Sequence, residues 1–191
     1  MIEEIQKATA KLWHVELETT VGGSGVSAVD VIVVDLKTKN GLASRGFSYV
    51  LGSTGRIATI AARELIENFI IKKPLPHPEL LAREISQSFN RTGRGPNTIA
   101  QAAIDTAIWD LYSKSLDCSV GVAMGGKNRE VPVYGSGGFN TIQSPEEAAE
   151  QASRYIERGV KAVKPRVAGS SKDEKVIEAV RFAIGDRADL M

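Results

Sequence analysis

From Val131 onward the sequence alternates between strand-like and helix-like segments. "VPVYGSGGF" reads as a short strand ending in glycines, and "SPEEAAEQASRYIERG" as a helix. "GVKAVKPRVAG" (159–169) reads as a second strand, 172–184 as a second helix, and "ADLM" as the start of a third strand. This rhythm is what most constrains the fold, because strand–helix–strand repeats build parallel sheets whose crossovers are helices. Two complete units and a fragment fall short of the eight strands of a closed (β/α) barrel. Residues 129–191 are therefore expected to be the opening of such a barrel, incomplete, with a third strand still running at Met191. The first of its helices has a strong start signal. Ser144 is placed to cap it, Pro145 to occupy the first turn and Glu147 to close a capping box, with Gly159 to end it.

Residues 1–128 follow a different pattern. "IQKATAKLWHVEL" and "VSAVDVIVVDLKT" read as strands, separated by the glycine-rich "ETTVGGSG". Asn40-Gly41 signals a hairpin into "LASRGFSYV". A three-stranded antiparallel meander is expected over about the first fifty residues. Helices follow over 56–71, which stops at the prolines of "KKPLPHP", and over 78–90, which starts at Pro78. In "NTIAQAAIDTAIWDLYSKSL", Ala100, Ala103, Ile104, Ala107, Ile108 and Leu111 fall on one helical face. The whole reads as an α+β domain over 1–128.

The formal net charge is +1, which gives no general attraction to nucleic acid or to a membrane surface. No apolar run approaches the ~18 residues of a membrane span, and "MIEEIQKATAK" lacks the apolar stretch of a signal peptide. The single cysteine, Cys118, excludes an intrachain disulfide and fits a cytoplasmic location. "GVAMGGK" matches the spacing of a phosphate-binding loop. However, Asn128 stands where Ser or Thr would hold the metal, and the stretch follows a helix instead of a strand. His14 and His77 are far apart in sequence and suggest no zinc site.

Lys164 and Arg166 lie two apart, late in the second barrel strand, and so share a face. Val163, Pro165 and Val167 take the other face, toward the helices. In a barrel, inward side chains at the C-terminal strand ends face the active site. The pattern alone fits this placement and fits two solvated cations at a strand end equally well.

Three features together resemble the enolase superfamily, in its mandelate racemase and muconate lactonizing group. They are the helix with Asp105, Trp109 and Asp110, the Gly125-Gly126-Lys127 turn, and the Gly159-x-x-Ala162-x-Lys164 strand. The resemblance covers nearly the whole chain. It implies a lid over a barrel, and an enzyme that removes the proton alpha to a carboxylate and holds the enediolate on Mg²⁺. The class would be an acid-sugar dehydratase or racemase acting on a small carboxylate, and a homo-oligomer. It puts Lys164 on the first lysine of the family's Lys-x-Lys, near the substrate carboxylate, and Arg166 on the second, often the base. Arg166 is a departure: a fixed charge suits an electrostatic clamp better than a base. Val21, Val26 and Tyr49 belong to stretches that correspond to the family's lid loops, and Ser136 follows the first barrel strand. These four are the candidate substrate contacts. The family's metal ligands fall beyond Met191, so no metal site is expected in this chain alone and turnover is not expected. The alternative is a non-catalytic lid module, truncated or degenerate, that associates with itself through the unfinished sheet edge.

Overall fold

The computed structural model describes residues 3–21, 25–72 and 74–191, and at 19–21 the backbone only. The chain divides into two compact units, Met1–Thr19 with Val26–Asn128, and Arg129–Met191 with Thr20–Gly25.

The first unit is a three-stranded antiparallel sheet in the order β1-β2-β3, covered by helices. β1 is Ile5–Val21, β2 Val26–Thr38 and β3 Ala43–Leu51. β2 and β3 pair from Val29↔Leu51 to Lys37↔Ala43. The turn between them uses Gly41 at φ 95°, and Thr38 N–H donates to Leu42 O at 2.9 Å. β3 alternates strictly: Ser44, Gly46, Ser48 and Val50 point inward while Arg45, Phe47, Tyr49 and Leu51 point outward.

α1 (Gly55–Phe69), α2 (Pro78–Thr92) and α3 (Gly95–Ser115) bury their apolar faces against the sheet's inner face and each other. The small residues of α3 matter at one place. A Cβ on Gly46 would lie 2.2 Å from Ala107 N and 2.3 Å from Ala103 O, so β3 and α3 touch backbone to backbone. α3 also serves the edge of β3. Asp110 Oδ2 accepts the Arg45 N–H at 3.1 Å and the Lys114 ammonium at 2.7 Å, and Lys114 donates to Ala43 O. Asp110, Trp109 and Tyr112 thus have packing roles, since His77, Trp109 and Tyr112 form an edge-to-face cluster with centroids 5.0–5.9 Å apart. Ser119 caps the single turn of α4 (Val120–Ala123), which ends at Gly125 with φ 84°. The "GVAMGGK" stretch is therefore a helix end.

The second unit is a partial α/β arrangement. α5 (Pro145–Glu157) carries both halves of the Ser144/Glu147 capping box, and Gly159 follows it at φ 82°. β4 (Ala162–Val163) pairs in parallel with β5 (Asp189–Leu190), which follows α6 (Asp173–Ile184). Two expected strands come out shorter than read. "VPVYGSGGF" makes only one parallel bridge, Gly135↔Val163, and 159–169 narrows to β4. Pro132 and Pro165 have no N–H to donate, which breaks the ladder on both segments. The outward face of 159–169 is also only partly as expected: Val163 is buried, Pro165 half-buried and Val167 exposed. A small core of Phe139, Ala148, Ala152, Val163, Val176, Val180 and Ile184 holds the unit together.

Candidate functional site

The second unit brings together side chains from the ends of its first two strand segments. The bridge aligns them: Gly135 N–H donates to Ala162 O and Lys164 N–H to Gly135 O, both at 2.8 Å. This sets Ser136 beside Lys164, with the hydroxyl donating to Lys164 O at 3.1 Å. The Lys164 ammonium lies 3.2 Å from the Tyr134 hydroxyl and 4.8 Å from that ring's centroid. Tyr134, which the sequence reading did not select, is thus the nearest neighbour of the candidate carboxylate-binding lysine. Its position two residues before Ser136 was the available signal, because both then share a strand face.

Arg166 is exposed and paired with no carboxylate among the described residues. Lys164 and Arg166 are thus two accessible cations, with the Tyr134 phenol against the Lys164 ammonium, a set of donors suited to a carboxylate. Two glycines make room behind it. A Cβ on Gly135 would lie 2.3 Å from the Tyr155 ring, and Tyr155 donates its hydroxyl to Gly137 O at 2.8 Å. Past Arg166 the chain turns through Ala168–Ser170, whose N–H groups converge on Asp173 at 2.6–3.3 Å. These bonds, led by that from Ser170, hold the Asp173 carboxyl below the usual carboxylate range.

The other candidates lie apart in the sequence. Val21 ends β1, with its side chain outside the described residues, as is the intervening stretch 22–24. Val26 opens β2 and is half-buried. Tyr49 is not in a loop: it sits on the outer face of β3, opposite Val31.

Between β1, β2 and the start of α1 lies an anchor that sequence reading missed. Asp30 is only 2% exposed. Its Oδ1 is 2.6 Å from His14 Nδ1 on β1, and its Oδ2 accepts the Gly55 N–H at 2.9 Å where α1 begins. These two bonds, His14 first, hold the Asp30 carboxyl below the usual range. Gly55 is required, since a Cβ there would come 2.4 Å from the Asp30 Cβ. On α3, burial pushes the carboxyl of Asp105 up. No cluster of three or more His, Cys, Asp or Glu side chains able to hold a metal ion occurs among the described residues. They therefore do not fit a Mg²⁺ site.

The family model described as "Mandelate racemase / muconate lactonizing enzyme, N-terminal domain" matches residues 7–125. The chain therefore belongs to the mandelate racemase and muconate lactonizing group of the enolase superfamily. Arabinonate dehydratase of Saccharolobus solfataricus is 22% identical over 87% of this chain and 45% of its own length. The 3,6-anhydro-alpha-L-galactonate cycloisomerase of Streptomyces coelicolor is 26% identical over 98% of this chain and 53% of its own. The fold matches that of L-talarate/galactarate dehydratase from Salmonella typhimurium, liganded with Mg and L-lyxarohydroxamate. There the TM-score is 0.87 at 21% identity, covering 100% of this chain and 51% of the other. The chain spans about half the length of the curated relatives it matches. No helix among the described residues is long and apolar enough to cross a membrane.

Proposed function

We propose that this chain is the lid and barrel opening of an acid-sugar dehydratase or racemase, with residues 1–128 as the lid and 129–191 as the opening. In that reading the enzyme abstracts the proton alpha to a carboxylate. The observation that carries it is the Tyr134–Ser136–Lys164 grouping, in which the bridge at Gly135 sets a lysine, a phenol and a hydroxyl at adjacent strand ends. Lys164 supplies the charge for a substrate carboxylate, Tyr134 orients the ammonium, and Arg166 adds a fixed positive charge that steadies the developing enediolate. Magnesium belongs to relatives such as the Salmonella dehydratase. The residues described here do not assemble a site for it, so no step is drawn through a metal. By itself the chain would bind a small sugar acid without turning it over.

Titration with a sugar diacid such as galactarate, followed by amide NMR, tests this. Shifts should centre on Ser136, Lys164 and Arg166, and Lys164→Ala should weaken binding about tenfold, the effect of one charge-assisted contact. Shifts confined to the first unit would overturn the reading. In an enzyme carrying this stretch with the remaining barrel, Lys164→Ala should cost on the order of 10² to 10³ in turnover. Arg166→Lys should permit racemisation alongside dehydration, because a lysine can act as a base.

A further inference from the structure

α5 reaches the loop after the first barrel-strand segment through two side chains. Gln151 Nε2 donates to Gly137 O at 2.9 Å, and the Tyr155 hydroxyl donates to the same oxygen at 2.8 Å. The two residues stand four apart and so share one helix face. The Tyr155 ring is itself held, stacked on the buried Phe139 with centroids 6.2 Å apart. Two donors from one helix thus converge on a single loop carbonyl, and they fix which way the Gly137–Gly138 peptide faces.

The backbone alone allows either facing. Gly138 has φ 80° while Gly137 is not in the left-handed region, the pattern of a type II turn. Exchange between types II and I turns the central peptide over by changing only the two torsions beside it. The described peptide bonds are all trans, so the Gly138 N–H points opposite to the Gly137 carbonyl. With that carbonyl drawn to α5, the N–H faces away from the helix. This is the side of Tyr134, Ser136 and Lys164. Gly135 abuts the Tyr155 ring, and strand alternation sends its two neighbours to the opposite face, where the Tyr134 hydroxyl meets the Lys164 ammonium. Gly138 is exposed, and its N–H has no acceptor among the described residues. A side chain at this position is excluded on the helix side, since a Cβ would lie 2.6 Å from Gln151 Nε2.

We infer that the Gly138 N–H is a binding donor of this site, taking an oxygen of the substrate carboxylate beside Lys164, and that Gln151 and Tyr155 are positioning residues that keep it turned outward. The inference rests on the acid-sugar reading above and adds a residue and a mechanism to it. The overturned peptide would present carbonyl lone pairs to the same carboxylate, so the clamp on Gly137 replaces a repulsion with a hydrogen bond. The division of labour is physical. Lys164 and Arg166 attract the anion through long side chains, whereas a backbone N–H held by two bonds has a fixed direction and sets the orientation.

Amide NMR of the full chain with galactarate tests this. The Gly138 amide should move downfield and exchange more slowly with solvent as galactarate is added. Galactitol, which has the same carbon skeleton without carboxylates, should leave it in place. The double variant Gln151→Met/Tyr155→Phe removes both donors without changing charge. It should bind galactarate about tenfold more weakly, and Gly138 should lose its response while Ser136 and Lys164 keep theirs. Equal loss at all three amides would mean that the pair only supports the fold, and would overturn the inference. If the double variant fails to fold by circular dichroism, the wild-type response decides alone. Ser136 and Lys164 responding without Gly138 overturns the inference and leaves the acid-sugar reading standing. No response at any of the three overturns both.

Discussion

The two units make opposite use of β-structure. In the first, strands of 17, 13 and 9 residues pair in a meander whose partners are adjacent in sequence. In the second, two strands of two residues each pair in parallel across an intervening helix. An antiparallel hairpin needs only a turn, whereas a parallel pair needs a crossover, and its strands are ordinarily covered on both faces. The first unit has a core shared by the sheet and three helices, while the second rests on a few alanines and β-branched residues under two helices. The lesson is that the meander pairs locally and is sealed by its helices, whereas the βα segment depends on how many neighbours its strands find.

The largest test of this contrast is Gly46→Val. A side chain there meets the α3 backbone with no flexible group to give way. It should destabilise the first unit by about 3 kcal/mol or more, read as a lower denaturant midpoint. The counterpart in the second unit is Gly135→Ala, where the obstacle is the Tyr155 ring. A ring can swing, so the cost should be about 1–3 kcal/mol. It should be accompanied by loss of the Tyr155–Gly137 hydrogen bond, seen in Tyr155 fluorescence. Ser144→Ala removes one side of the capping box and should cost about 1 kcal/mol. If unfolding of the second unit is separate from that of the first, only the second transition should move.

The finest comparison is made in acid. Asp30 in the first unit and Asp173 in the second both have carboxyls held below their ordinary value. A lowered folded pKa gives stability that is present above the unfolded value, roughly pH 4, and lost as pH falls through the folded one. Asp30→Asn should flatten the acid limb of the first transition, and Asp173→Asn that of the second. Equal flattening of both transitions by either variant would mean that the units unfold as one.

Much of this architecture was legible in the sequence, for identifiable reasons. The meander, the three long helices and the capping box at Ser144 rest on local signals: alternation, proline and glycine punctuation, and side-chain caps. The βα rhythm was legible too, but strand lengths were not. Val131–Tyr134 and Pro165–Val167 have strand-like composition, yet the number of ladder bonds depends on the neighbours and on Pro132 and Pro165. At the candidate site, Lys164 and Ser136 were visible by position. The Tyr134 contact was not, since it depends on the register that Gly135 sets against Val163. Asp30 was hidden for a related reason. An aspartate in the valine-rich "VDVIVVDL" shows no sign of the histidine sixteen residues earlier or the helix start twenty-five residues later.

That buried carboxylate has a consequence for how such a chain can diversify. Asp30 joins β1, β2 and the start of α1, and neither of its bonds uses a residue of the 52–54 stretch between β3 and α1. That stretch can therefore be lengthened, shortened or exchanged without disturbing the joint beside it. Short segments between β3 and α1 can then be grafted onto an unchanged frame, provided that His14, Asp30 and Gly55 travel with the frame.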